Sequence, residues 1–276
     1  MKVSVLSMFR DSEEYLGGTL ERLSSLEEQE PSIEFEYFFY ENDSVDSTVS
    51  ILEDWLSNRN GLVSSEQLNK AKFSQSTSVE RQIDMTNYRN RMLSIARPLE
   101  SDYSIILDSD VFFDKSIVRD YLPYFTEGVA MVTPNVLQNI KCQMSDGARE
   151  SYYDSFALID RFGNNGMTWA SNPFFNKEDR EGWERGDPVE VRSAFGGCPM
   201  IKSEILNNVS WSTDGGCEHW NFCRDVSSYG KILVAPSVQV RVVLSESVIN
   251  SIGKSHMRNV VEKQKQLLPL LSEIYR

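Results

Sequence analysis

The chain has 276 residues, 40% of them hydrophobic and 11% aromatic, enough to bury a large core and far from the composition of a disordered protein. Its formal net charge of -13 and pI near 4.7 oppose a long polyanionic partner, so nucleic acid and an anionic membrane surface are excluded as main ligands. No stretch reaches the 18 or so apolar residues of a membrane helix, and the start, "MKVSVLSMFRDSEEYL", reads as a first strand rather than a leader, so the expectation is a soluble, cytoplasmic protein with no membrane-spanning segment.

Taken in order, Lys2 to Met8 is a valine- and leucine-rich strand, and Leu16, Leu20 and Leu23 then share one face of a helix over 13–26. "EFEYFFY" at 34–40 is an aromatic strand ending in the polar turn "ENDSVDST", after which Val49, Leu52, Trp55 and Leu56 mark a second amphipathic helix. Residues 57–78 read as a long polar loop, and "VERQIDMTNYRNRMLSIA" resumes helical spacing through Ile83, Tyr88 and Leu93. The strand 103–107 then stops at "DSD". Later come a strand ending in "MVTPN" at 131–135 and an aromatic, glycine-dotted segment over 138–187. A strand "VEVRSAFGGCPMI" follows, interrupted by Gly196 and Gly197, where backbone can approach a ligand. A short helix in "CEHWNFCRDVSSYG", two last strands "KILVAP" and "VQVRVV", and a C-terminal helix through Val260, Leu267 and Leu271 complete the chain.

Alternating strands and helices imply an α/β fold with a mainly parallel central sheet and helices on both faces. One domain over 1–276 is expected, with one half over 1–114, a second over 115–250 and a tail with its helix over 251–276. Ligands of such sheets bind beyond the carboxyl ends of the strands, so the turns at Arg10 to Ser12, Glu41 to Thr48 and Asp108 to Asp110 should converge on one edge. The chain has no G-x-G-x-x-G after its first strand, which argues against an ordinary dinucleotide fold. The four cysteines, 142, 198, 217 and 223, are too few for a disulfide scaffold. "CEHWNFC" lacks a second ligand pair for zinc, so buried reduced thiols are the better reading.

Asp108 and Asp110, separated by one residue past an apolar strand, can share one divalent cation. Their hard oxygens suit Mn2+ or Mg2+, which in turn bridges nucleotide phosphates. Asp114 reads instead as a cap for the helix beginning near Lys115. Arg10, Arg89 and Arg91 are candidates for a diphosphate, because guanidinium matches phosphate oxygens in pairs, with one of the three left as a surface charge. Tyr152, Tyr153, Trp169, Phe174, Phe175 and Trp183 offer rings for sugar faces, and core packing accounts for at least half of them.

Together, "ENDSVDST", "YRNRML", "IILDSD", "FGG" and "CEH" resemble the nucleotide-sugar glycosyltransferases of the GT-A (Rossmann-like) fold, and "SYYDSFALIDRFG" at 151–163 resembles the fungal capsule-associated alpha-mannosyltransferase family. The resemblance runs from Val3 to about Val243. It implies a donor of the UDP- or GDP-sugar kind and a glycan or glycoconjugate acceptor. Asp110 would ligate the metal, and Asp108, with Ser109 beside it, would contact the ribose or the metal. Glu41, Asn42, Asp43 and Asp46 would lie around the nucleoside, with helix capping the competing role for Asp46. Gly196 and Gly197 would line the donor, and His256 in "GKSHMRN", flanked by Lys254 and Arg258, would be a third metal ligand. Inverting enzymes of the fold carry Glu-Asp where this chain has Glu218-His219, so either Glu218 or His219 serves as base, or transfer proceeds with retention, which is the preferred expectation.

Other readings of "LDSDV" are a haloacid-dehalogenase-like phosphatase with Asp108 as nucleophile and Asp110 as acid, a nucleotidyltransferase, and a non-catalytic nucleotide-sugar-binding protein.

Overall fold

The computed structural model describes residues 1–72, 78–141, 148–168, 170–214 and 216–242. The predicted C-terminal helix, His256, Lys254, Arg258, Trp169 and Cys142 lie outside the described residues. In chain order the elements are β1 (Lys2–Phe9), α1 (Glu13–Gln29), β2 (Glu34–Asn42), α2 (Thr48–Leu56), β3 (Gly61–Glu66), α3 (Val79–Ala96), β4 (Tyr103–Asp108), β5 (Val111–Phe113) and α4 (Ile117–Tyr121). They continue as β6 (Val129–Lys141), β7 (Ala148–Tyr152), β8 (Ile159–Asp160), α5 (Lys177–Arg185), β9 (Val189–Ser193), β10 (Met200–Lys202), α6 (Ser203–Leu206), α7 (Glu218–Val226) and β11 (Lys231–Val242).

One sheet carries the order β3-β2-β1-β4-β10-β6-β11-β9-β8, with β5 beside β11 and β7 beside β6. The parallel expectation holds along β3-β2-β1-β4 and between β6 and β11, whereas β10 runs against both its neighbours and the far strands pair antiparallel. The order explains where a site forms. From β1 the chain steps outward to β2 and β3, then returns through α3 to place β4 on the other side of β1. Right-handed crossovers therefore put α1 and α2 on one face and α3 on the other, and the carboxyl ends of β1 and β4 flank the switch point.

Four readings of the sequence change. The polar stretch 57–78 contains β3, an edge strand paired with β2 whose residues are half-buried or exposed, so it shows no apolar run. "VEVRSAFGGCPMI" is two strands in different places: β9 pairs with β11, while β10 sits between β4 and β6. Gly196 and Gly197, both left-handed (φ +68° and +66°), turn the chain between them. The two last strands are one, β11, with a register break between Ala235 and Gln239. In α3, Tyr88 and Leu93 are buried as expected but Ile83 is exposed; the buried stripe begins with the polar Gln82 and Thr86, and Arg89 joins it beside Tyr88 before it continues through Met92, Leu93 and Ala96.

The core lies between the sheet and its helices, with Val5, Leu6, Ile105, Ile106 and Met200 from adjacent strands buried against Leu16, Leu23 and Leu93. Tyr152, Phe174 and Trp183 belong to it, the first two meeting Trp183 edge-on at 6.2 and 5.4 Å, which removes them as sugar platforms. Tyr153 and Phe175 are exposed. Among the described residues no helix is long and apolar enough to cross a membrane.

Candidate active site at the switch point

The three polar turns do converge. Phe9 is in register with Glu41, and Met8 with Asp108. The Asp11 amide donates to Ser44 Oγ at 2.9 Å and that of Ser12 to Thr48 Oγ1 at 2.7 Å, so the turns after β1 and β2 are one unit. Asp11 and Asp43 are left-handed there (φ 45° and 58°), a conformation aspartate adopts more readily than most side chains.

At the end of β4, Asp108 Oδ1 lies 3.2 Å from Arg89 Nη2. Arg89 comes from the buried stripe of α3, its side chain only 4% exposed, and it also lies 3.6 Å from Glu218 Oε1 through Nε. Its guanidinium sits over the rings of Phe195 and Trp211 at 4.7 and 5.7 Å. Glu218 and His219, consecutive at the start of α7, are both buried. Glu218 Oε1 is 3.5 Å from His219 Nε2, and the imidazole stacks on Phe195 at 3.8 Å and 18°. Arg89 thus joins the "DSD" turn of β4 to the "EH" pair of α7, and Trp211, stacked flat on Phe222 at 4.1 Å, closes the back of the pair.

Charge is unevenly supplied here. Asp108 is raised above the ordinary carboxylate range by burial, against the pull of Arg89, and Asp110 is raised to about 6 by burial and then by the charge of Asp108. Asp154 is pushed up to about 7, by burial first, with the Gly196 N–H opposing and Asp108 adding to it. Burial also works against ionised Glu218, yet His219 and Arg89 facing it hold it below its usual value. Burial drives His219 down to about 3, so the ring is neutral near pH 7 and Arg89 supplies the positive charge that Glu218 feels there. Three carboxylates, Asp108, Asp110 and Glu218, therefore share the guanidiniums of Arg81 and Arg89, and Asp154 adds a fourth carboxyl that feels Asp108 and Glu218. A divalent cation at Asp108 and Asp110 relieves that imbalance, and their hard oxygens fit Mn2+ or Mg2+. Among the described residues no group of three or more His, Cys, Asp or Glu side chains is placed to hold a metal ion.

Other predicted site residues have internal partners. Glu41 accepts from the Ser44 amide and Ser65 Oγ, both at 2.6 Å. Asp43 accepts from the amides of Leu68, Asn69 and Lys70 and from the Asn42 and Gln67 side chains, with Arg10 Nη1 3.9 Å away. Asp46 accepts from the amides of Thr48 and Glu13, tying the starts of α1 and α2 together. Ser109 turns toward α1, its hydroxyl 3.4 Å from Tyr15 Oη. Arg91 is half-exposed and paired with Glu66 at the end of β3, whereas Arg10 reaches the Lys70 carbonyl beside Asp43. Asp114 is not the cap residue of α4, which is Ser116; its carboxylate accepts from the Ser116 amide and hydroxyl and shapes the turn before the helix. Cys198, Cys217 and Cys223 are buried and free.

Two residues at the site escape the sequence reading. Arg81, in the first turn of α3, acts on Asp108, Asp110 and Glu218 alike. Asp154 follows β7, next to the exposed Tyr153 whose ring the sequence offers for sugar faces. The signal for Asp154 was present in "SYYDSF", a carboxylate among aromatics, but nothing local says that it faces Asp108.

Among curated proteins none matches the chain. Of solved structures, residues 1–349 of TarS from S. aureus share 17% identity at a TM-score of 0.52, over 91% of this chain and 63% of that one. The same protein in complex with UDP-GlcNAc gives 15% and 0.54, over 89% and 59%. Mannosyltransferase PcManGT from Pyrobaculum calidifontis, in complex with GDP-Man and Mn2+, gives 13% and 0.53, over 88% and 57%. The chain thus spans about six-tenths of the length of these proteins, and at such identities the likeness is one of fold, the GT-A glycosyltransferase fold. The family model described as Cryptococcal mannosyltransferase 1 matches residues 35–231, from the second strand through the carboxylates of β4 to the start of β11, and the chain belongs to that family.

Proposed function

We propose that the chain is a divalent-metal-dependent glycosyltransferase that moves a sugar from a UDP- or GDP-sugar to a hydroxyl of a glycan or glycoconjugate, with retention at the anomeric carbon. The observation that carries the reading is the charge-poor pairing of Asp108 and Asp110 at the switch-point end of β4. It is supported by the family and by structural neighbours solved with UDP-GlcNAc and with GDP-Man and Mn2+.

In this reading Asp108 and Asp110 would hold the ion. When bound, the ion offsets the charge that develops on the departing nucleoside diphosphate. Arg10 lies on the diphosphate side, with Arg91 further out; Glu41, Asn42, Asp43 and Asp46 build the nucleoside rim through the backbone they fix. Arg89 pulls on Asp108 against the effect of its burial and, with His219, holds Glu218 below its usual value, a fixed counter-charge that costs no reorganisation during the reaction. Gly196 and Gly197 leave backbone free to approach the donor. Neutral His219 and ionised Glu218 face the acceptor side, where either can take a hydroxyl proton or hold the hydroxyl for the donor phosphate to deprotonate. The buried, free thiols agree with a reducing, cytoplasmic setting.

The test is a thermal-shift panel of UDP- and GDP-sugars with and without Mn2+. One donor at about a hundredfold its Kd should raise the melting temperature by about 5 to 10 °C only when metal is present. Stabilisation by no donor refutes the reading, and phosphorylation of Asp108 favours the phosphatase alternative. Proton NMR of the first-formed product reads the stereochemistry, the anomer opposite to the donor's ruling out retention.

A further inference from the structure

Asp154 has no part in the reaction described so far, yet its side chain reaches the turn that underlies Asp108. The segment after β7 is pinned to β6 by the Tyr153 amide, which donates to the Val136 carbonyl at 2.8 Å. One residue on, Asp154 Oδ2 accepts the Gly196 N–H at 2.8 Å. Gly196 and Gly197 are buried and consecutive in the left-handed region, a conformation that glycine adopts freely and other residues rarely. The turn is confined on its remaining sides. A Cβ on Gly196 would lie 3.0 Å from the Pro134 ring, and one on Gly197 would lie 2.6 Å from Val111 Cγ2 and 3.2 Å from Asp108 Oδ2. From this turn the Gly197 carbonyl accepts the Asp108 N–H at 2.7 Å. The backbone of Asp108 is therefore fastened to Gly197, its carboxylate lies against the same residue, and the turn that carries Gly197 is held by Asp154.

We propose that Asp154 is a positioning residue for Asp108: its carboxylate fixes the Gly196–Gly197 turn, and the turn sets the place and direction in which Asp108 presents its oxygens to a divalent cation. The inference rests on the metal-binding reading of Asp108. What the role requires of residue 154 is an acceptor oxygen at the Gly196 amide rather than a charge at the reacting atoms, which separates it from a residue that acts on substrate.

The variants Asp154→Asn and Asp154→Ala divide the two. Asparagine keeps an oxygen for the Gly196 N–H and alanine does not. Two measurements are made on each intact, cooperatively folded chain: the amide resonances of Gly196 and Asp108 by proton–nitrogen correlation NMR, and the affinity for Mn2+ alone by water-proton relaxation. In Asp154→Ala both amide resonances should move and Mn2+ affinity should fall by about 10- to 100-fold, the range seen when an outer partner of a metal ligand is lost. Asp154→Asn should restore the resonances and most of the affinity. If the alanine variant leaves the Asp108 amide in place, or the asparagine variant is as weak for Mn2+ as alanine, the positioning role is overturned. Should the wild-type chain bind no Mn2+, the metal reading fails, while the amide shifts still decide whether Asp154 holds Asp108. If Asp154→Ala does not fold, Gly197→Ala takes its place: pressing on Val111 and Asp108, it should lower Mn2+ affinity by a similar factor, and unchanged affinity counts against the proposal.

Discussion

Asp110 shows how far a residue's environment can depart from what its neighbours in sequence suggest. Burial and the adjacent Asp108 lift it from 3.8 to about 6, so in the fold its protonated form is favoured. A carboxyl raised in this way contributes stability that is fully present below its unfolded value and is lost as pH rises through about 6. With solvent still reaching the side chain, the effect at neutral pH is screened to about 1 kcal/mol. For metal-free protein, Asp110→Asn should therefore raise the melting temperature at pH 7.5 by about 2 to 4 °C and leave it unchanged at pH 4. Added Mn2+ should reverse the order at pH 7.5, stabilising the wild type alone. Differential scanning fluorimetry across pH checks both, and a variant less stable than wild type without metal would show that Asp110 is satisfied by the protein itself. Asp108 and Asp110 were legible because they are chain neighbours past an apolar run. Asp154 and Arg81 were not, because their meaning depends on facing residues more than twenty positions away.

At the scale of elements, α3 connects sequence to site most directly. Its polar residues Gln82, Thr86 and Arg89 are buried because the helix starts beside the carboxylates, and its apolar end packs into the core. A sequence reading that looks for apolar spacing selects Ile83 and misses this stripe. The helix is joined to the segment before α7 by Asn90, whose amide donates to the Trp211 carbonyl at 2.8 Å and accepts the Trp211 amide at 2.9 Å. Asn90→Ala leaves both backbone groups without their partner, and stability should fall by about 1 to 3 kcal/mol in urea titrations, with the m-value unchanged. Because Trp211 backs the Arg89–Glu218–His219 cluster, a loss below a few tenths of a kcal/mol would mean that water replaces Asn90 and that the segment is held elsewhere. The misread strands have different causes: β3 is an edge strand with no apolar run, whereas β9 and β10 are short and pair with strands far along the chain.

Across the whole molecule, the charge of -13 sets a self-repulsion that the fold must carry. Screening shortens from about 30 Å at 0.01 M salt to about 8 Å at 0.15 M, so the melting temperature should rise by a few degrees over that interval without metal. A melting temperature that falls with NaCl would show that favourable ion pairs, such as Lys72–Asp11 and Arg161–Asp179, outweigh the net repulsion. The sequence by itself determined the α/β class and the placing of polar turns at three strand ends, because periodicity and residue type are local properties that no partner need supply. Only the tertiary structure decided that β10 divides β4 from β6, that Arg89 is a buried link between Asp108 and Glu218, and that Asp154 reaches the Gly196 amide. Those facts are pairings across 19 to 129 residues, fixed by which surfaces the sheet order brings together.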